Sequence, residues 1–540
     1  MKTLTAKKAI INVAMSNDAS RPVVINPTNS IVVDFSDLIG TSGDVIRGVK
    51  LDMVNADGTT IPVSIKLSSI TGCHYARKIT TSDGAKFDEG REYMVCVTIA
   101  VPDRGKSKIP YDYYGYFAVN YNLSLGSAGM SALNGRKLLV CISDIHLGAY
   151  ERYTECRLNR DSLINFLQKV NDSPNVKELV IAGDLIDEWF LPANVDTLKG
   201  GSQQDFVNKI RDNNNTVFDG LNAICENPEI EVTYVPGNHD LLITDDEIRN
   251  VLPKMEQARE RDAAGNVIIG LGTYEPKDFP EVAIEHGHRY NFFCAPDPIS
   301  NNKNYPGKGP ILPPGYFFTR IAVESVYNGL QQRQNSPYSI SLTYGDESQF
   351  LCSLYGQLWQ SVFKDFPVKQ KYEEKFIVTN IDGLAGPYSE QDLTPQVGTD
   401  GRLYTILYPG IQDTWGERQR YNRVAVPIPT ITAIEQSDSA DGTDDMSNVQ
   451  YFGNASSNKR VVIFGHSHVA RILSYTTTDN KRAVYANSGT WIDSNKSNPT
   501  MTFVVLIPPK DQNSNLLFVN LYQYLPNGEV SLLDAQVITR

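Results

Sequence analysis

The chain has 540 residues, with 50 Lys and Arg against 62 Asp and Glu, a formal net charge of −12 and 41% hydrophobic residues. That length exceeds what one hydrophobic core usually spans, so two or more domains are expected. The acidic balance argues against a broad electrostatic grip on nucleic acid, and no stretch approaches the roughly eighteen uninterrupted apolar residues of a transmembrane segment.

The first eight residues, Met1-Lys2-Thr3-Leu4-Thr5-Ala6-Lys7-Lys8, lack a convincing signal-peptide apolar region, with a removed leader as the alternative reading. Runs at 30–35, 45–54, 60–67 and 92–101 read as strands, separated by turn signals such as Ala56-Asp57-Gly58 and Ser82-Asp83-Gly84. Residues 1–125 are therefore expected to form an all-β, immunoglobulin-like sandwich. It carries no active-site chemistry and reads as an interaction or spacer module whose partner is unknown. A stretch rich in Asn, Ser and Gly at 120–135 reads as the linker that follows.

Five later runs, at 137–142, 178–182, 231–235, 281–285 and 461–464, are apolar and rich in β-branched residues, as buried strands are. Each leads into a short polar motif: Asp144-Ile145-His146, Gly183-Asp184-Leu185-Ile186-Asp187, Gly237-Asn238-His239-Asp240, His286-Gly287-His288 and Gly465-His466-Ser467-His468. Helical segments at 159–170 and 205–226 make this a β-α-β succession around a mainly parallel sheet. Groups just beyond the C-terminal ends of such strands converge on one crevice. Six of the chain's 7 histidines lie in these motifs, while His74 stands apart and reads as structural.

Carboxylates and imidazoles together suit Mn²⁺, Fe²⁺ or Zn²⁺ better than Ca²⁺. If two ions sit side by side, one carboxylate must bridge, so seven residues can fill eight ligand positions. A pair of ions about 3.5–4 Å apart clamps the attacking and leaving oxygens of an in-line displacement and lowers the pKa of a bound water toward ~7, which makes a bridging hydroxide available. The leaving alkoxide still needs a proton. A histidine beside a ligand but not itself coordinated is the natural donor, and His239 follows Asn238 directly.

The motif string, spanning roughly residues 137–295 and 455–500, resembles the calcineurin-like metallophosphoesterase family: D-x-H, G-D-x-x-D, G-N-H-D, H-G-H, G-H-x-H. The resemblance implies a four-layer α/β/β/α sandwich. It also implies Asp144, His146 and His468 at a first metal, Asn238, His286 and His466 at a second, and Asp184 bridging them. His239 matches the family's catalytic histidine, and Asp187 the carboxylate that orients it. The activity implied is two-metal hydrolysis of a small-molecule phosphodiester, pyrophosphate or phosphomonoester. The alternatives are a DNA or RNA exonuclease of the same superfamily, which shares the Ser143-to-Gly148 string, and a noncatalytic binding protein, which the complete ligand set argues against.

Departures narrow the branch. Glu188 stands where protein phosphatases carry an arginine, and Leu185 after Asp184 supplies no tyrosine ligand of the purple acid phosphatase kind. Residues 143–148 and 183–189 are similar to bacterial UDP-diacylglucosamine pyrophosphohydrolases, but those commonly carry arginine where His239 stands, so their substrate does not carry over.

His288 reads as a group behind the ligands or facing substrate, and Arg289 as a substrate contact. Arg320, Arg418, Arg420 and Arg423 could add phosphate-binding charge, though most read as solvated or ion-paired. The expected organisation is 136–295 and 456–540 as the two parts of the metallophosphoesterase domain, with a helical insertion at 296–455. Helical spacing at 316–334 and 348–364 makes that insertion a lid or pocket wall. The Ser-, Asp- and Gly-rich segment 435–454 reads as a loop. Asn487-Ser488-Gly489-Thr490-Trp491 is similar to a segment in bacterial members and reads as a buried turn with Trp491 on the sheet. An odd, scattered set of 7 cysteines suits reduced thiols in a cytoplasm.

Overall fold

The computed structural model describes residues 16–39, 44–102, 108–302, 304–306, 309–496 and 498–540. The leader reading of residues 1–8 lies outside them.

The N-terminal part is all β. Val23–Ile25, Lys108–Val119, Glu92–Pro102, Val45–Val54 and Thr60–Val63 form one sheet, and Ser30–Asp34, Cys73–Thr81 and Ile65–Ile70 a second. The single strand expected at 60–67 is two, because the chain passes from one sheet to the other between Val63 and Ile65. Ile31, Val33, Val95, Val97 and Phe117 fill the space between the sheets. Residues 120–135 are no open tether: Leu125, Met130 and Leu133 pack into the main core. Arg91 pairs with Asp511 at 2.6 Å, and the amides of Asn120 and Asn520 bond reciprocally at 2.9 and 3.3 Å.

The central sheet has seven strands in the order Glu256–Gln257, Glu231–Val235, Val176–Ala182, Leu138–Ile142, Thr502–Ile507, Leu516–Tyr524, Val530–Thr539. The first four are parallel, as the β-α-β reading expects, and the last three run antiparallel. A second sheet runs Val282–Ile284, Val461–Phe464, Arg482–Asn487, Arg471–Thr476, and only its last strand is antiparallel.

Period-2 alternation assigns each strand's side chains to two cores. Leu139 and Cys141 face the second sheet, meeting Ile284, Ile463 and Val484. Leu138, Val140 and Ile142 face the other way, onto Leu163, Phe166 and Leu167 of the helix Arg160–Asp172 and Val217 and Leu221 of the helix Asn215–Glu226. The outer face of the second sheet, through Val462, Phe464 and Tyr485, packs on the 296–455 segment. Helix, sheet, sheet and helix thus stack in that order, and each fully buried Leu, Ile or Phe contributes about 1.5–3 kcal/mol to holding them together.

Within 296–455 the aromatic-rich helices are Pro314–Tyr327 and Glu347–Asp365. The first stops short of residue 334 at a turn in which Gly329 has φ 64°. Both bury one face, Tyr316 and Phe317 on one helix and Tyr355, Trp359 and Phe363 on the other. The loop expected at 435–454 is instead largely helical, with Ala440–Ser447 capped by the Ser439 hydroxyl. Its polar composition is accommodated because Asp444 is fully buried against Arg471, Tyr485 and Asn487. Among the described residues no helix is long and apolar enough to cross a membrane, and no two cysteines are bonded.

Candidate metal centre

Every motif sits where a strand ends and the backbone turns sharply. Asp144, His146, Asp184, His466 and His468 all have left-handed φ, between 52° and 66°. For non-glycine residues that conformation is strained by about 1–3 kcal/mol each, and it persists only where neighbours enforce it. Here the motif backbones enforce one another. Asp144 N–H donates to Gly183 O at 3.1 Å, and Ile145 and His146 N–H donate to Asp184 O at 2.9 and 3.0 Å. His239 N–H donates to Asp184 Oδ1 at 2.8 Å, and His466 N–H to Asp144 Oδ1 at 3.1 Å.

Two glycines allow this closeness. A Cβ on Gly237 would lie 2.1 Å from Asp184 Oδ1, and one on Gly465 would lie 2.5 Å from Asp144 Oδ2. The Asn487-to-Trp491 turn closes the other side. Thr490 Oγ1 donates to Asp144 O at 2.8 Å, Ser143 and Ser488 hydroxyls meet at 2.7 Å, and Trp491 packs on Phe166 at 4.9 Å between ring centroids.

The structure brings all seven predicted ligand residues together. Asp144 Oδ1 lies 3.1 Å from His468 Nε2, which is 3.2 Å from His146 Nε2. Asp184 Oδ2 lies 3.1 Å from His286 Nε2 and 3.7 Å from His146 Nε2. Asn238 Oδ1 lies 3.0 Å from His286 Nε2 and 2.8 Å from His466 Nδ1. Asp184 therefore belongs to both groups of donors.

The far nitrogens of two of these rings are already engaged. His286 Nδ1 donates to Ala182 O at 2.8 Å and His146 Nδ1 to Asp187 Oδ2 at 2.7 Å, which leaves Nε2 of each as the nitrogen aimed inward, able to offer a lone pair where a metal cation takes the place of its proton. Imidazole nitrogens and carboxylates converging on one buried place form a donor set for cations. The residues present fit divalent metal.

Electrostatics agree. Burial opposes ionisation of Asp144 and Asp184, yet the facing histidines, His468 and His286 for the first and His286 and His239 for the second, hold both carboxyls below their ordinary range. Against its own burial, His286 is raised to about 9 by Asp184 and Asp144. His466 goes the other way, pushed down to about 3 by burial and then by the charge of His286.

His239 stands beside this cluster. Its Nδ1 bonds Asp187 Oδ1 at 3.0 Å and its ring lies 4.7 Å from that of Trp189. Asp187 also accepts from the N–H groups of Trp189 and Phe190 at 2.7 and 2.8 Å, so one buried carboxylate holds two histidines and a turn. The sequence reading missed Glu155, whose carboxylate lies 3.5 Å from His146 Nδ1. It sits in a loop after the first motif, where neither spacing nor periodicity marks it.

One reading is corrected and one is narrowed. Arg289 does not reach the site: its guanidinium is held by Glu260 at 2.6 Å, Glu285 at 2.7 Å and Gly272 O at 3.0 Å, since a buried cation needs such partners. His288 is buried with Nε2 on Gly270 O at 2.9 Å and its ring 5.3 Å from that of His286, the position behind the ligand residues that is one of its two readings. Arg320 and Arg418 are likewise buried on carbonyl oxygens, Leu191 O and Pro192 O for the first and Phe292 O and Ala295 O for the second. Arg423 bonds Arg261 O, and Arg420 extends into solvent with its side chain 74% exposed. His74 is exposed on the N-terminal strands.

A cavity of about 390 Å³ opens over Asp184, Asn238, His239, His466 and His468, walled by the two helices of the 296–455 segment.

Residues 138–311 match the family model of the calcineurin-like phosphoesterases. No curated protein matches the sequence. Among solved structures, a protein described as a 5'-nucleotidase from Staphylococcus aureus in complex with alpha-ketoglutarate is 10% identical, with a TM-score of 0.23 over 74% of this chain and 54% of that one. Vps29 of Chaetomium thermophilum is 17% identical, with a TM-score of 0.12 over 19% of this chain and 49% of that one. The chain spans about half the length of each, and likenesses at those TM-scores carry no weight for function.

Proposed function

We propose, from the match of residues 138–311 to the family model of the calcineurin-like phosphoesterases, that this chain hydrolyses phosphoester bonds at two divalent ions, Mn²⁺, Fe²⁺ or Zn²⁺. Asp144, His146 and His468 would hold one ion, Asn238, His286 and His466 the other, with Asp184 shared. The observation that carries the reading is the convergence of seven donor side chains, from five separate strand ends, on one buried point.

When bound, the ions supply Lewis acidity toward a phosphoryl oxygen and acidify water to near neutrality. The chain's own groups do the rest. Asp187 fixes the His239 ring through Nδ1, so Nε2 is the nitrogen left to carry a proton to the leaving oxygen. Trp189 packs against that ring and restricts its rotation. The Asn238 side chain, beyond its place among the ligands, keeps an N–H₂ group to donate toward a phosphoryl oxygen. A soluble phosphorylated small molecule is the substrate the acidic chain accommodates best.

The test is hydrolysis of bis-p-nitrophenyl phosphate and p-nitrophenyl phosphate by metal-stripped protein resupplied with Mn²⁺, with Asp184→Ala as control. Mn²⁺-dependent turnover of either ester that Asp184→Ala abolishes is the expected result. Turnover that persists in that variant, or none in metal-replete protein, overturns the reading.

A further inference from the structure

The cavity above the metal centre has two unlike ends. Its floor is the polar cluster, and its walls are Phe293, Trp189, Phe318, Leu358, Val362 and Phe366. The walls follow from helix geometry. Leu358, Ser361, Val362 and Asp365 lie at i, i+3, i+4 and i+7 on the helix Glu347–Asp365, one continuous stripe turned to the cavity. The adjoining stripe, Tyr355, Trp359 and Phe363, is fully buried in the core and fixes the helix in place. Gly315 brings the neighbouring helix close, since a Cβ there would lie 2.8 Å from Phe293 O and 3.3 Å from the Trp189 ring. These walls are built, and they are continuous with the site.

The charge along the walls is as informative as their apolarity. Among the described residues no lysine or arginine lines the cavity, and its two carboxylates beyond the floor, Asp365 and Asp438, form no ion pair, Asp365 accepting instead from the neutral donors Gln332 and Ser361. A substrate with a second phosphate, or a run of them, would set that charge beside carboxylates that no cation offsets. The arginines that might have served, Arg289, Arg320 and Arg418, are all held elsewhere.

We propose that this cavity receives the non-phosphoryl part of the substrate, and that this part is apolar and uncharged: an alkyl or aryl phosphoester with a single phosphoryl group, as opposed to a nucleoside polyphosphate or a nucleic acid strand. The volume is within the range of cavities that enclose small organic ligands. The inference rests on the phosphoesterase reading above and adds the substrate class to it.

The experiment measures kcat/KM for p-nitrophenyl methyl, propyl and hexyl phosphates on Mn²⁺-loaded protein. Burial of each added methylene should raise kcat/KM by about fourfold until the cavity is full, and Val362→Lys and Leu358→Ala should each shrink the hexyl-to-methyl ratio. A flat series, with the methyl ester still hydrolysed, overturns the inference and leaves the phosphoesterase reading standing. If no ester is hydrolysed that reading fails, and calorimetric binding of hexylphosphonate against methylphosphonate and ADP still decides the cavity's chemistry. Tighter binding of hexylphosphonate than of both, weakened in Val362→Lys, supports the inference, and ADP binding tighter than hexylphosphonate refutes it.

Discussion

Replacing Asp187 with asparagine should disturb the first metal position through a change of tautomer at His146. In the native site Asp187 Oδ1 accepts from Trp189 N–H at 2.7 Å, Phe190 N–H at 2.8 Å and His239 Nδ1 at 3.0 Å, while Oδ2 accepts from His146 Nδ1 at 2.7 Å. An asparagine has one acceptor oxygen, and the two backbone N–H groups hold it at the Oδ1 place. Its N–H₂ then faces His146 Nδ1, which must offer a lone pair and move its proton to Nε2. That is the nitrogen aimed at Asp144, Asp184 and His468. Ligation by His146 then requires breaking a hydrogen bond whose charged parent contributes about 1.5–3 kcal/mol, so affinity at that position should fall about ten- to hundredfold. Competition with a chelator, read as metal content per chain, measures it. Affinity equal to that of the unsubstituted protein would refute the link between Asp187 and the ligand set.

Three further outcomes follow from individual positions. Gly237→Ala should weaken binding of both ions, because its Cβ would lie 2.5 Å from Asp184 N as well as against Oδ1, and backbone cannot swing aside; wild-type metal content under chelator challenge would contradict this. Gly416→Ala, on the exposed face of the helix Ile411–Tyr421 with nothing within 4 Å of a new Cβ, should raise stability by about 0.5–1 kcal/mol, and a lower urea midpoint would count against it. Glu92 is buried in the N-terminal sheet, where desolvation lifts its pKa from 4.5 to about 8. A raised carboxyl pKa means the folded state holds the proton longer, so stability present below pH 4.5 is lost as pH rises through about 8. Glu92→Gln should remove that loss, so its advantage over wild type in urea midpoint should grow from pH 5 to pH 8; parallel declines would rule out Glu92 as the source.

The site was more legible than the fold around it, for a physical reason. Metal chemistry admits few side chains, and those few must follow strand ends, so five short motifs were enough to nominate Asp144, His146, Asp184, Asn238, His286, His466 and His468, which the chain gathers into one cluster. Glu155 escaped notice because its nearness to His146 comes from a loop path with no periodic signature. The buried arginines escaped because carbonyl oxygens, which every residue carries, supply their partners. The helix Ala440–Ser447 was hidden by its Ser and Asp content, and only the tertiary pairing of Asp444 with Arg471 explains why such residues leave the surface.

The strand order of the central sheet has a consequence for how the chain is made. Leu138–Ile142, which carries Asp144 at its end, is flanked on one side by Val176–Ala182 and on the other by Thr502–Ile507. As the ribosome delivers the chain in order, the first neighbour emerges early and the second only after some 360 further residues, well behind His466 and His468. Throughout that interval the edge of Leu138–Ile142 stays open and apolar, and until its last stretch the metal cluster lacks His466 and His468. Nascent chains are thus committed to a long wait with an unpaired strand exposed, the state in which edge-to-edge association competes with folding.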